Sequence, residues 1–241
     1  MQSPDHPEVL QFEDAGGLDF EAAKFDAMSS AGQAQTQLLF WQQSRSLVVP
    51  RAYERREGIE TAVEGADALG WPVLFRASGG SCVFHGDNVL CVSQLICEPR
   101  GSTALDVAYR RFADHLIATA VKLGVSGADF GTAPNAPCDG RFNVLVEGRK
   151  LAGTAMRRRA RAGMDTTLVH ACLWLSDPLA PALHAVETFE APLGMGQPYP
   201  PAACISLAEA TERPHDAPGK LATDWAQAMM DLADTTYSKD A

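Results

Sequence analysis

"CDGRFNVLVEGRKLAGTAMRRR", residues 138–159, places a cysteine twelve residues ahead of a lysine, surrounds the lysine with glycines and ends in Arg157, Arg158 and Arg159. The alternation in "RFNVLVEGRKLAGTAM" predicts a β-hairpin. Phe142, Val144 and Val146 share one face, and Glu147-Gly148 supplies the turn. On the returning strand, alternation puts Lys150, Ala152, Thr154 and Met156 on one face and Leu151, Gly153 and Ala155 on the other. Small residues beyond the lysine leave room for another group to approach the strand. By spacing alone, a lysine just after a glycine turn reads most simply as a solvated edge residue.

Working outward, residues 1–16 read as an N-terminal arm, and "LDFEAAKFDAMSSAG" as a helix. Its stripe is Leu18, Ala22, Phe25 and Met28 or Ser29, with Gly32 closing it. "TQLLFWQ" and "SLVVP" are short strands, and "AYERREGIETAVEGADALG" a polar-rich helix. "PVLFRAS", "SCVFH" and "NVLCVSQLI" are strands separated by the turn formers "GG" and "GDN". The clearest helix is "GSTALDVAYRRFADHLIATAVKLG", where Leu105, Tyr109, Phe112, Leu116 and Ala120 recur at helical spacing and Gly124 stops the run. Beyond the hairpin, "TTLVHACLWL" is a buried strand, "PLAPALHAVETF" a helix and "PYPPAACISLAEA" a further strand. A terminal helix follows from about residue 217.

Helices alternating irregularly with hairpin-like strands predict an α/β (α+β) domain with a mixed, largely antiparallel sheet flanked by helices. Residues 17–241 are expected to form one domain. No dinucleotide-binding glycine fingerprint, P-loop or G-x-S-x-G elbow is present.

The chain has 241 residues and a formal charge of −10, which disfavours nucleic acid and anionic membranes as partners. No apolar run approaches the length of a bilayer span, and the N-terminus lacks a basic start and apolar core. The six cysteines include no C-x-x-C pair and mostly sit in apolar runs, as expected of free thiols in a reducing cytoplasm.

Several residues carry possible chemistry. Adjacent glycines in Arg76-Ala77-Ser78-Gly79-Gly80 make either a plain turn or a set of exposed N–H groups beside a guanidinium. Cys82 and His85 have C-x-x-H spacing, but odd spacing in a strand sends them to opposite faces, so no metal is expected. His85 and His170 each read as a core histidine or a site residue, His170 being a possible base for Cys138. Arg157, Arg158, Arg159 and Arg161 form the one basic cluster, either a solvated face or a docking patch.

Taken in order, "R-x-S-G-G-x-x-V-F-H", "NVLCVS", a long helix ending in "LG", then "GRKLAGTA" and "H-A-x-L" resemble the lipoate and octanoate protein ligase/transferase family, over roughly Leu38 to Leu207. That family belongs to the biotin/lipoate protein ligase superfamily, whose core resembles class II synthetases. The resemblance implies that Lys150 contacts an acyl carbonyl and that Arg76, Ser78, Gly79, Gly80 and His85 line an acyl pocket. Gly153, Thr154, Ala155 and His170 would complete it, with Val83, Val144, Val146 and Leu151 as candidate walls.

Buried methylenes contribute about 0.8 kcal/mol each, so a medium-length chain in an apolar tunnel gains roughly 5 kcal/mol. ATP-dependent ligases of the family carry an asparagine–aspartate pair ahead of the lysine strand, and Asn135 and Asp139 are not adjacent here. "HGDN" also departs from the family, which usually has an acidic residue directly after the histidine. In the octanoyl amidotransferase branch a cysteine precedes the lysine with spacing like that of Cys138 and Lys150. The resemblance therefore implies transfer of an octanoyl or lipoyl group through a Cys138 thioester, without a cofactor. Free lipoate with ATP and Mg is the ligase alternative, and a non-catalytic acyl-binding protein the second. The expected partner is a lipoyl carrier domain, either a 2-oxoacid dehydrogenase acyltransferase subunit or a glycine cleavage H-type protein. Acyl carrier protein is a possible donor, and Arg157, Arg158 and Arg159 are the docking residues.

Overall fold

A computed structural model describes residues 7–237. A seven-stranded sheet has the order β1 (Val9–Phe12), β2 (Gln35–Gln43), β6 (Val89–Pro99), β10 (Met164–Trp174), β9 (Arg149–Arg161), β8 (Asn143–Val146) and β7 (Ala128–Gly131). Every pairing in it is antiparallel except β1 with β2. A three-stranded sheet has β3 (Ser46–Pro50) between β4 (Val73–Arg76) and β5 (Val83–His85). The expected mixed, largely antiparallel architecture is observed.

The central strands β6 and β10 sort their side chains by period two. Leu90 and Val92 of β6, with Val169, Ala171 and Leu173 of β10, pack under α3 (Leu105–Lys122) and α6 (Pro218–Tyr237). From the helices come Phe112, Leu116, Leu221 and Trp225. The alternate positions Cys91, Leu95, Cys97 and Leu168 face α1 (Gly16–Ala31), where Phe25 and Met28 cover them. A third cluster joins the small sheet to α2 (Ile59–Ala68) and α4 (Ala180–Glu190) through Leu47, Phe84, Ala62 and Phe189.

Four differences from the sequence expectations have physical causes. Residues 1–6 of the expected arm lie outside the described residues, but Val9–Phe12 is not loose, because it pairs in parallel with Phe40–Gln43. The helix expected over residues 52–70 starts as a 3-10 turn, Arg51–Arg55, and α2 begins only after Gly58, whose φ of 82° breaks the run. The short strand β7 has no apolar period to announce it. "PYPPAACIS" makes no strand: its prolines remove backbone donors, leaving a 3-10 turn, Pro201–Ala203, one bridge from Cys204 to Lys150, and α5 (Leu207–Ala210).

Candidate active site

The β8–β9 hairpin contains one extra residue. Val144 pairs with Ala152 and Leu145 with Lys150, so Leu151 has no partner across the ladder. This bulge puts neighbouring Leu151 and Ala152 into the same core cluster and turns Lys150 to the opposite face, beside Gly153. Strict alternation placed Lys150 with Ala152 and is corrected here. The solvated-edge reading also fails: Lys150 is 1% exposed. Its Nζ donates to the backbone carbonyls of Pro137 at 2.6 Å and Cys138 at 2.8 Å. Burial pushes the ammonium below its usual range, a shift opposed by the nearby Cys138, Cys204 and Asp139.

Those two carbonyls belong to the loop between β7 and β8. Asp139 builds the loop from within: its Oδ1 accepts from Ala133 N at 2.6 Å, Gly140 N at 2.8 Å and Asn143 Nδ2 at 2.9 Å. Cys138 has a left-handed φ of 51°. Its Sγ accepts from the Ser81 backbone N–H at 3.2 Å and lies 3.9 Å from Arg76 Nη2. The buried Arg76 guanidinium is itself fixed by the carbonyls of Val48, Gly79 and Ser81. At Gly80, φ is 104°, and a Cβ there would stand 2.9 Å from both Arg76 Nη2 and Cys138 Sγ. The arginine–double-glycine segment thus wraps the thiol, and Gly80 makes the close approach. Gly79 does not, since a Cβ there meets nothing within 4 Å.

From Lys150 a row of side chains crosses the sheet on the α1 face. Gly153 pairs with Cys172, Cys172 with Cys91 and Cys91 with Trp41. The next row runs from Ala155 through His170 to Ser93. Between these rows and residues such as Leu18, Val48 and Val83 lies a narrow slot of about 20 Å³. It is lined also by Arg76, His85, Cys138 and Thr154, so most of the sequence-predicted site residues converge there. Of the candidate walls only Val83 lines it; Val144, Val146 and Leu151 belong to the core on the far face.

His170 is not aimed at Cys138. Its Nδ1 pairs with Glu21 Oε1 at 2.9 Å and its Nε2 with Ser78 Oγ at 3.0 Å. Ser93 Oγ donates to the same Glu21 oxygen at 2.5 Å. Burial pushes the Glu21 carboxyl up, but the charge and hydrogen bond of His170 and the Ser93 hydroxyl leave it below its usual value. His85 faces the slot while Cys82 lies in the core of the small sheet, so that pair is apart, but Cys91 and Cys172 approach His85 instead. Sequence reasoning missed Glu21, Trp41, Cys91 and Cys172. Glu21 left a readable signal: a carboxylate on the Leu18–Phe25–Met28 stripe of an otherwise apolar helix face.

The arginine cluster lies farther along β9 and is partly engaged within the chain. Arg157 and Arg159 pair with Asp26 at 3.6 and 2.7 Å, and Arg157 stacks 3.9 Å from the Phe25 ring centre. Arg158 donates to Thr103 O and Thr167 Oγ1, both at 2.7 Å. Arg161 reaches Ser30 Oγ at 3.0 Å, and Arg159 and Arg161 remain exposed.

Residues 17–193 match the family described as lipoyl protein ligase A/B catalytic domain. The chain is 32% identical over 231 residues to an uncharacterized protein of Cupriavidus necator, covering 90% of this chain and 88% of that one. It is 29% identical over 242 residues to an octanoyl-[GcvH]:protein N-octanoyltransferase of Kyrpidia tusciae, covering 94% and 78%. Among solved structures, the fold matches a lipoate-protein ligase A bound with ATP with a TM-score of 0.57 at 15% identity, covering 98% and 96% of the two chains. It matches P. falciparum LipL1 in complex with lipoate with a TM-score of 0.63, also at 15% identity, covering 98% and 63%.

Proposed function

The chain belongs to the lipoyl protein ligase A/B catalytic domain family, and we propose that it transfers an octanoyl or lipoyl group to a lysine of a lipoyl carrier domain through a thioester on Cys138. One observation carries this reading: the Cys138 thiol is held by the Ser81 N–H beside the Arg76 guanidinium, in the loop that Lys150 anchors. The homologous octanoyltransferase of Kyrpidia tusciae supports the same reaction class.

The chemistry follows from donors and charge. A cationic guanidinium and a backbone N–H stand beside the sulfur, the nucleophilic atom. The Cys138 sulfur attacks the acyl carbonyl of the donor; the bond between the acyl carbon and the donor breaks, and the proton lost by the thiol goes to the donor's former acyl-bearing atom. The acceptor lysine amine then attacks the Cys138 thioester, forming the amide and returning the thiol. An ammonium has three donors, and the two carbonyls of the loop engage two of those of Lys150, leaving one for the acyl oxygen as negative charge builds on it. The acyl group's apolar tail passes Gly153, whose missing side chain leaves the sheet surface bare, and crosses the sheet into the slot toward Cys172. The slot of about 20 Å³ is smaller than an eight-carbon chain, so its entry requires lining side chains such as Leu18 to give way.

A Mg-ATP ligase fits these residues less well. The family's asparagine–aspartate pair is missing, and the Asp139 carboxylate is engaged by three donors of its own loop. The acceptor would dock near the exposed Arg159 and Arg161, its acidic surface complementing theirs. The test is octanoylation of a purified lipoyl domain from an octanoyl-carrier donor in chelator-treated buffer without ATP. Transfer supports this proposal. Modification only with free lipoate, ATP and Mg overturns it in favour of a ligase.

A further inference from the structure

We infer that His85, Cys91 and Cys172 form a binding site for a soft divalent cation, zinc being the best match, at the far end of the acyl slot. Three strands from both sheets deliver the donors: His85 ends β5, and Cys91 and Cys172 are direct cross-strand partners on β6 and β10. The sequence gives no ligand spacing for this set, because the sheets bring together residues up to 87 positions apart. The Cys172 Sγ lies 3.2 Å from His85 Nε2, the Cys91 Sγ lies 3.9 Å from the same nitrogen, and all three donor atoms fall within 4.8 Å of one another.

Those separations resemble the edges of a tetrahedral site. Zinc–sulfur bonds of about 2.3 Å and zinc–nitrogen bonds of about 2.0–2.1 Å give sulfur–nitrogen edges of roughly 3.6 Å and sulfur–sulfur edges of roughly 3.8 Å. Two thiolates and a neutral imidazole bind a dication with no net charge, as a buried apolar slot requires. Soft sulfur donors select zinc over magnesium or calcium, which take oxygen ligands. Three protein ligands leave a fourth coordination position, as open zinc sites do.

The site has a consequence that rests on the proposed acyl transfer. Cys172 is one strand from Gly153 and Cys91 two, so at about 4.8 Å per strand the donors lie roughly 5 and 10 Å along the sheet. An eight-carbon chain that starts at Lys150 and crosses the sheet needs that space. Zinc and acyl chain therefore exclude each other, and the ion acts as an inhibitor.

The experiment uses the full reduced chain and Co(II) or Zn(II) alone as probe. Co(II) should bind one per chain with a thiolate charge-transfer band. Zn(II) should displace it, and both Cys91→Ser and Cys172→Ser should abolish the band while Cys138→Ser retains it. Absence of the band in the folded wild type, or its survival in both serine variants, overturns the site. Octanoate is then titrated against the bound ion. Competition supports the mutual exclusion. Ion binding that octanoate leaves unchanged overturns it, and with it the course of the acyl chain, but not the metal site. If octanoyl transfer proceeds while no ion binds, the metal inference alone fails.

Discussion

Lys150 Nζ donates to the backbone carbonyl oxygen of Cys138 at 2.8 Å, joining the bulged strand β9 to the loop that carries the thiol. Without the unpaired Leu151 the ammonium would point into the helix-covered core. The bulge therefore links a local irregularity of the sheet to the position of the nucleophile.

That link predicts different behaviour for two substitutions. Lys150→Met keeps an unbranched stem in the same space, so the protein should fold but lose transfer. Both variants leave two carbonyls without their donor; Lys150→Ala also opens a cavity, and should cost about 2–4 kcal/mol in denaturant unfolding. Unchanged stability in Lys150→Ala would contradict the buried, structural part of the assignment.

Gly80 and Gly79 should separate cleanly. Gly80→Ala places a methyl 2.9 Å from Cys138 Sγ and demands a φ of 104°, a strain of about 1–3 kcal/mol, so transfer should fall about tenfold or more. Gly79→Ala meets open space and should transfer within about twofold of wild type. Equal rates in the two variants would rule out Gly80 as the close approach to the thiol.

Asp139 should matter for placement of the loop. Removing the acceptor of three hydrogen bonds in Asp139→Ala is expected to cost about 2–3 kcal/mol and to slow acylation of Cys138. Asp139→Asn keeps an acceptor oxygen and should recover part of both. An Asp139→Ala variant with wild-type stability and rate would show that the loop holds Cys138 by other means.

Glu21 provides a pH test. Its folded carboxyl lies below the usual value of 4.5, so its stabilising contribution is complete above that value and is lost as pH falls through the folded pKa. The stability difference between wild type and Glu21→Gln, about 1–3 kcal/mol at neutral pH, should therefore shrink below about pH 4.5. Urea unfolding across that range measures it. A difference that stays constant down to acid unfolding would mean that Glu21 is not the ionised partner of His170.

The central strands of the sheet are legible because "VLCVSQLIC" and "TTLVHACLWL" are nearly continuous runs of apolar and β-branched residues, as strands buried on both faces require. The site was legible in its residue types and not in its geometry. Counting by twos cannot register an unpaired residue, so strict alternation puts Lys150 on the face opposite Gly153 although the two are neighbours. Their apolar runs mark Cys91 and Cys172 as buried thiols, which holds for Cys91 while Cys172 is only partly buried, and nothing in one strand says that the same position on the next strand carries the second sulfur. Glu21 is readable as a carboxylate on an apolar stripe, but its partners His170 and Ser93 lie on strands far away in the sequence. The arginine run gave no hint that Asp26 and Phe25, more than a hundred residues earlier, engage part of it.

The central claim is that Cys138 carries the acyl group, and intact mass spectrometry after incubation with octanoyl-carrier donor, without acceptor, tests it most directly. The account predicts a hydroxylamine-labile octanoyl adduct on the wild type, its loss in Cys138→Ser, and its persistence when any of the other five cysteines is replaced by alanine in a folded variant. A Cys138→Ser protein that still transfers the acyl group at the wild-type rate, with no covalent adduct on either protein, would contradict it.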